Sequence, residues 1–367
     1  MSTEPIVVHV RGRTRLDRYL TRLLAHVSRT RIQRHIASGD VLVDGRRVRP
    51  SHVLQGGEVV TLPALEAQLA DAAPAGDEAE SLGLCILHED ADLLVVDKPA
   101  GLVVHPVGGE FRRTLLNLLR DLLRRRGEEA PELGLVHRLD RSTSGLIVVA
   151  KRLATRRALA RDVEERRVRR QYLGVVVGQP PQRAGTIDLF IRRDPSRPTR
   201  MQALDAAAAA DLRRAGFASP VSASGYSDPR LDVRPRAART HWSVLRRLLG
   251  ATLLRLDLDT GRTHQIRVHL QGAGMPLLGD PIYGPFTHTR GRAVGGGEER
   301  DDVGPRDGER AALLAASRAL GRPALHAAML AFTHPRSGVA LRFRAPLPAD
   351  LRALLARLGR PPTRPLA

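Results

Sequence analysis

The chain has a single cysteine, Cys85, which excludes an internal disulfide framework and a cysteine-rich zinc site and fits a reducing compartment. No apolar run approaches the roughly 18–20 residues of a membrane span, and Met1 to Arg18 lacks the apolar stretch of a signal peptide. A soluble, cytoplasmic protein with no membrane partner is expected. A glycine-rich phosphate loop is missing too, and no internal repeat of fixed period is visible. Lysine is nearly missing: Lys98 and Lys151 are the only two.

What is abundant is arginine. Of 367 residues, 59 are Lys or Arg, so 57 are arginine, against 39 acids, for a formal charge of +20. Guanidinium groups bind phosphate through a planar fork and stack on bases, so a chain of this charge points to an anionic polymer. A coding bias toward Arg and Ala is the competing explanation. At 42% hydrophobic residues the chain can bury a real core, and its length suits a catalytic-sized domain with a smaller one.

Residues 1–63 carry 11 arginines against 5 acids; residues 64–83 then carry five acids, no bases and many alanines, the composition of a solvated linker. In the first part Leu16, Tyr19, Leu20, Leu23 and Leu24 form one helical stripe, with Arg15, Arg18 and Arg22 on the other side. Ser28 is placed to cap a second helix carrying Arg29, Arg31 and Arg34, and Asp44-Gly45 reads as a hairpin turn. After the linker, two strands meet at Asp90-Ala91-Asp92, and a helix stripe runs through Leu115, Leu118, Leu119, Leu122 and Leu123. Further strands are expected at 145–150, 171–178, 186–192, 240–245, 253–258 and 341–343. The mixture predicts an α+β domain on an antiparallel or mixed sheet. Residues 203–236 and 287–308 show little periodicity and read as mobile surface insertions. Cys85, in an expected strand, reads as packed rather than reactive.

Two polar constellations stand out. His137, Arg138 and Asp140 precede the Thr143-Ser144-Gly145 turn, after which an apolar strand begins. An Asp before a turn accepts backbone hydrogen bonds more often than it performs catalysis, so spacing alone leaves both roles open. In the second, Thr263 is placed to start a helix carrying His264, Arg267 and Gln271. His264 and His269 fall on different faces and lack a clear third ligand, so no metal is expected.

The pattern RLDRYL, SRTRIQRHIASGDVLVDG and LQGGEVV resembles the S-four-type RNA-binding module over about residues 13–62, with Asp44 where asparagine is usual. The order HRLDRSTSG, RQY, TGRTHQIRVHL, GDPIYG and LHAAMLAFTHPRSG before APLP resembles the RluA-type pseudouridine synthases over roughly residues 84–352. The resemblance implies domains at 13–63 and 84–355 with the linker 64–83 between them. It implies RNA contacts from Arg15, Arg18, Arg29, Arg31 and Arg34, a catalytic aspartate at Asp140 and a base-stacking tyrosine at Tyr172. Arg267 is expected to face Asp140 and favour its carboxylate form. Ile266 is implied as an apolar contact, and His137, Arg138, Arg170 and Arg262 as further substrate contacts. Arg170 stands where the family has lysine.

The implied reaction converts uridine to pseudouridine by moving ribose C1′ from N1 to C5. It is an isomerisation, so no cofactor is expected, and one carboxylate suffices, as nucleophile or as base at the sugar. The target must leave its stack, which favours structured RNA with loops and bulges. Large-subunit ribosomal RNA is favoured over transfer RNA, and a monomer is expected. Two readings compete. A non-catalytic RNA-binding ribosome-assembly factor could dispense with Asp140. A hydrolytic N-glycosidase would need a second acid, for which Glu164 and Asp257 are candidates.

Overall fold

The valine- and leucine-rich runs of this chain are apolar on both faces, and such segments belong in the middle of a covered sheet. The computed structural model describes residues 6–7, 14–23, 29–55, 57–61, 84–105, 114–197, 199–214, 234–286 and 307–359. They fall into two units, residues 1–83 with 102–130, and residues 84–101 with 131–367. Among the described residues no helix is long and apolar enough to cross a membrane.

In the first unit, helices Leu16–Leu23 and Arg29–Ser38 accompany six short strands: β1 (Ile6–Val7), β2 (Thr14–Arg15), β3 (Leu42–Val43), β4 (Arg46–Arg47), β5 (Val53–Leu54) and β6 (Val59–Thr61). One sheet runs β1-β6-β3-β4, and β2 pairs with β5. The expected stripe supplies the core, where Leu16 and Leu20 pack with Ile32, Ile36, Val41, Val43, Leu54 and Val60. Asp44 and Gly45 take φ of 48° and 72°, the left-handed pair that a tight hairpin requires. Asp44 also accepts the Val59 N–H at 2.9 Å, so aspartate serves this turn well. Ser28 and the linker 64–83 lie outside the described residues. Helix Leu115–Arg125, expected within the larger domain, groups with this unit; Thr114 caps it by accepting the Asn117 N–H.

The second unit is built on eleven strands: β7 (Cys85–Glu89), β8 (Leu93–Lys98), β9 (Gly134–Leu135), β10 (Ser144–Ala150), β11 (Arg169–Val177), β12 (Ala184–Arg193), β13 (Met201–Leu204), β14 (Arg236–Arg247), β15 (Ala251–Leu258), β16 (Leu325–Thr333) and β17 (Ala340–Arg344). The order is β13-β12-β14-β15-β11-β16-β10-β8-β7, with β9 on β10 and β17 on β16. The sheet is mixed, as expected, because β10 and β16 run parallel where Ser144 and Gly145 meet His326 and Ala327. Gly145, expected in a turn, lies inside β10 at φ +110°; a Cβ there would stand 2.3 Å from the Ala327 carbonyl oxygen. Only glycine admits that approach. On its other edge β16 pairs with β11, and the register slips between Gln171 and Tyr172, so Ala328 bulges beside Tyr172.

Three expectations need correction. Residues 203–214 are not irregular: Met201–Leu204 is a strand paired with β12, and Ala206–Arg214 is a helix, as the propensity of five alanines favours. The remainder, 215–233, and nearly all of the second expected insertion, 287–306, lie outside the described residues. Cys85 is exposed, on β7, the outermost strand of the sheet. Thr263 does not start its helix, which runs Gln265–Gly272 after His264 in a left-handed conformation.

Candidate active site

Asp140 sits in the loop between β9 and β10, and buried cations hold that loop from beneath. Lys98, fully buried at the end of β8, donates to the carbonyls of Pro99 (2.8 Å) and Arg141 (3.2 Å). Burial lowers its pKa to about 7, against the pull of nearby Asp140. Arg322, paired with Asp350, reaches the Ser142 carbonyl at 3.4 Å. Carbonyls on both residues after Asp140 are therefore anchored, which fixes where its carboxylate points.

Arg267 comes from helix Gln265–Gly272, 127 residues away in sequence, and its Nη1 meets Asp140 Oδ2 at 3.1 Å. Its remaining fork is taken by Asp280, with Nε to Oδ2 at 2.7 Å and Nη2 to Oδ1 at 2.9 Å. Asp280 is fully buried and also accepts the N–H groups of Ile282 and Tyr283. Burial opposes the charge on Arg267, but the bonds and charge of Asp280 outweigh it and raise its pKa above the ordinary value. One guanidinium thus bridges a fully buried carboxylate and a carboxylate open to the cavity, at 24% side-chain exposure.

The cavity in front of Asp140 measures about 520 Å³. Tyr172, buried on β11, lines it beside Ile266, and burial raises the phenol pKa so that it keeps its proton. Arg170, two residues earlier on the same face of β11, is 5% exposed, and its Nε and Nη2 have no hydrogen-bond partner among the described residues. Gly261 makes room for it, since a Cβ there would stand 2.7 Å from Nη1. His137 lines the wall but is tied back, its Nε2 accepting the Val148 N–H at 3.4 Å; burial, then the charge of Arg170, lowers its pKa to about 3. Arg138 and Arg262 are exposed at the rim, Arg138 donating to Thr263 Oγ1 at 2.6 Å.

Sequence reasoning thus named Asp140, Tyr172, Arg267, Arg138, Arg170, His137, Arg262 and Ile266, and all eight line this cavity. It missed the roles of Asp280 and Lys98; the signal for Asp280 was an acid in a Gly-Asp-Pro turn just ahead of an otherwise apolar Ile-Tyr pair. Of the acids weighed for hydrolysis, Asp257 accepts from Gln171, and Glu164 is exposed at the rim. His269 is buried against Thr240 and stands outside the cavity lining. Elsewhere Asp90, Asp92 and His334 gather within 4.8 Å. Nδ1 of His334 accepts two backbone N–H groups, its Nε2 lies 3.2 Å from Asp90, and Arg336 pairs with Asp92, so this cluster reads as a polar network that holds the loop.

In the first unit, Arg18 and Arg34 are exposed on their helices. Arg15 is different: both of its bonds to Asp17, at 3.1 Å, make it part of the framework around that buried acid. Arg29 and Arg31 fall in the second helix, and their side chains lie outside the described residues.

Residues 92–272 match the family model for RNA pseudouridylate synthases, and residues 14–60 match the S4 domain. The chain is 38% identical over 345 residues to the ribosomal large subunit pseudouridine synthase D of Xanthomonas campestris, covering 94% of this chain and 88% of that one. The chain belongs to the RluA family of RNA pseudouridine synthases. A second relative, the protein of that name from Nitrosomonas europaea, is 37% identical over 93% of this chain and 83% of its own length. The solved structure of human RNA pseudouridylate synthase domain containing 4 shares the pseudouridine synthase fold at a TM-score of 0.55 and 26% identity, over 77% of this chain and 95% of that one. As a pseudouridine synthase the protein is an isomerase. The pseudouridylate synthase match spans Asp140, Tyr172 and Arg267, whereas Asp280 falls beyond its last matched residue.

Proposed function

We propose that this pseudouridine synthase acts on specific uridines of large-subunit ribosomal RNA, with Asp140 as its catalytic carboxylate. The observation that carries the assignment is the placement of Asp140: it is held 3.1 Å from the guanidinium of Arg267 at the edge of a nucleoside-sized cavity walled by Tyr172 and Ile266. The names of the related enzymes support ribosomal RNA as the substrate. Residues 13–63 hold RNA through an arginine-rich surface, and residues 84–355 carry out the chemistry in the cytoplasm, as a monomer.

In this reading the flipped uridine enters the cavity and its base stacks on Tyr172, whose protonated oxygen lies near C5. Asp140 engages the sugar, at C1′ or by taking a ribose proton. The C1′–N1 bond breaks, the base turns, the C1′–C5 bond forms, and as C5 loses its proton N1 takes one up, so that substrate and product are isomers. Arg267 keeps the carboxylate in place throughout, and Arg138 and Arg262 meet phosphates at the rim. No electrons are exchanged with a second reagent, so no cofactor is needed.

The test is nucleoside mass spectrometry after cyanoethylation, on ribosomal and transfer RNA incubated with wild type and with Asp140→Asn. New pseudouridine at defined ribosomal positions with wild type alone is expected. Equal product from Asp140→Asn would refute the assignment, and product on transfer RNA alone would refute the substrate.

A further inference from the structure

His264 is a residue for which the reading above has no use. It stands just before helix Gln265–Gly272 at φ 55° and ψ 19°, a left-handed conformation that costs a histidine more than a glycine. It lines the cavity with Asp140, Tyr172 and Arg267. Its Nδ1 lies 2.9 Å from the Tyr283 hydroxyl, and that same oxygen accepts the Met201 N–H at 2.7 Å.

These contacts settle the tautomer. Tyr283 is 1% exposed, and burial pushes its phenol up to about 12, so it is protonated. Among the described residues the phenol hydrogen has no acceptor other than Nδ1, so Tyr283 donates to Nδ1. Burial lowers the pKa of His264, opposed by Asp140 and Asp280 and aided by Arg267 and Arg193. The ring is therefore neutral near pH 7 with its hydrogen on Nε2, and Nε2 has no partner among the described residues.

We propose that His264 is a further catalytic residue, donating Nε2–H to a carbonyl oxygen of the uracil in the cavity. This rests on the pseudouridine synthase reading above. When the C1′–N1 bond breaks, its electron pair stays on the base, and the charge spreads over N1 and the carbonyl oxygens. A neutral imidazole donor stabilises that charge without transferring its proton, and the relay from Met201 through Tyr283 fixes it in the donating form before substrate arrives. The left-handed backbone sets the ring between Tyr283 and the cavity.

The test compares wild type, Asp140→Asn, His264→Asn and Tyr283→Phe on a ribosomal RNA transcript, by single-turnover rate, RNA affinity and pH profile. Asparagine tolerates the left-handed conformation, so His264→Asn preserves the backbone. Loss of one preorganised donor predicts a rate about 10²–10³-fold lower, with RNA affinity within a few-fold. Tyr283→Phe removes the bond that stabilises the neutral ring, so the pKa of His264 rises and the acid limb of the rate profile moves to higher pH. A merely structural role would leave that limb in place. Wild-type rates in His264→Asn, or an unmoved limb in Tyr283→Phe, with wild type active and Asp140→Asn inactive, would overturn this inference alone. If His264→Asn does not fold, the Tyr283→Phe profile decides. No pseudouridine from wild type would overturn the functional reading and the inference together.

Discussion

Asp280→Asn tests the bridge at Arg267. The native carboxylate accepts four hydrogen bonds: Oδ1 takes Arg267 Nη2 and the N–H groups of Ile282 and Tyr283, and Oδ2 takes Arg267 Nε. An asparagine oxygen can keep the three at Oδ1. Its amide then faces Arg267 Nε donor to donor, and one charge-assisted bond worth ~1.5–3 kcal/mol is lost. Arg267, 4% exposed, also loses its better partner. Breaking a buried pair from one side costs roughly 3–5 kcal/mol. At ~2–4 °C per kcal/mol for domains of about this size, calorimetry should show a melting temperature lower by roughly 6–20 °C. Arg267 is then no longer held from behind, so the single-turnover rate should fall as well. Adding Arg267→Met removes the stranded charge. The double variant should be more stable than Asp280→Asn alone while making no pseudouridine, since Asp140 has lost its partner. A double variant whose loss equals the sum of the two single losses would refute the coupling and the bridge with it.

Two further outcomes follow, one from the cavity wall and one from the strand contact behind it. Among the described residues Arg170 keeps two guanidinium nitrogens without partners at 5% exposure, an arrangement that costs stability. Arg170→Met should raise the melting temperature while lowering turnover, and a destabilised, fully active variant would contradict this. Gly145→Ala would force a Cβ to 2.3 Å from the Ala327 oxygen at φ +110°. It should cost roughly 2–4 kcal/mol, read by urea unfolding; an unchanged midpoint would mean that β10 and β16 have no need of the close approach.

Much of this was legible from residue patterns. Leu16 and Leu20 carry the helix stripe, Asp44-Gly45 is the hairpin, and the Leu-Ile-Val-Val run of β10 is buried throughout. Asp140, Tyr172 and Arg267 came from ordered motifs, because no periodicity joins residues 127 apart. Other features were hidden for physical reasons. The strand Leu325–Thr333, paired on both edges, contains three alanines and few β-branched residues, so its strand character comes from its neighbours. The alanines at 206–210 looked like filler until the strand before them closed onto β12. His264 lies outside its helix in a left-handed conformation with its ring against Tyr283, a contact across 19 residues that no local rule contains. Asp280 stood in the sequence only as part of the GDPIYG motif, and the fold shows the arginine it faces.

The two lysines make different contacts. Lys151 holds Glu89 at 2.6 Å, and Lys98 is fully buried with the carbonyls of Pro99 and Arg141 among its partners. Burial brings the pKa of Lys98 from 10.5 to about 7, so between those values the folded protein binds fewer protons than the unfolded chain. Its contribution to stability therefore rises with pH across that window and is lost as pH falls through about 7. Lys98→Met should lack the rise, visible as a stability difference between wild type and variant that grows from pH 7 to pH 10. Lys98→Arg preserves charge but makes it permanent and brings five donors into the same space. Each buried N–H left unpaired costs ~1–3 kcal/mol, and the displaced carbonyl is that of Arg141, next to Asp140. Lys98→Arg should then be less stable and slower than Lys98→Met, the reverse of what charge conservation alone would give. Thermal unfolding and single-turnover rates rank the two, and a Lys98→Arg protein matching wild type in both would show that the site neither needs a compact amine nor a charge it can release.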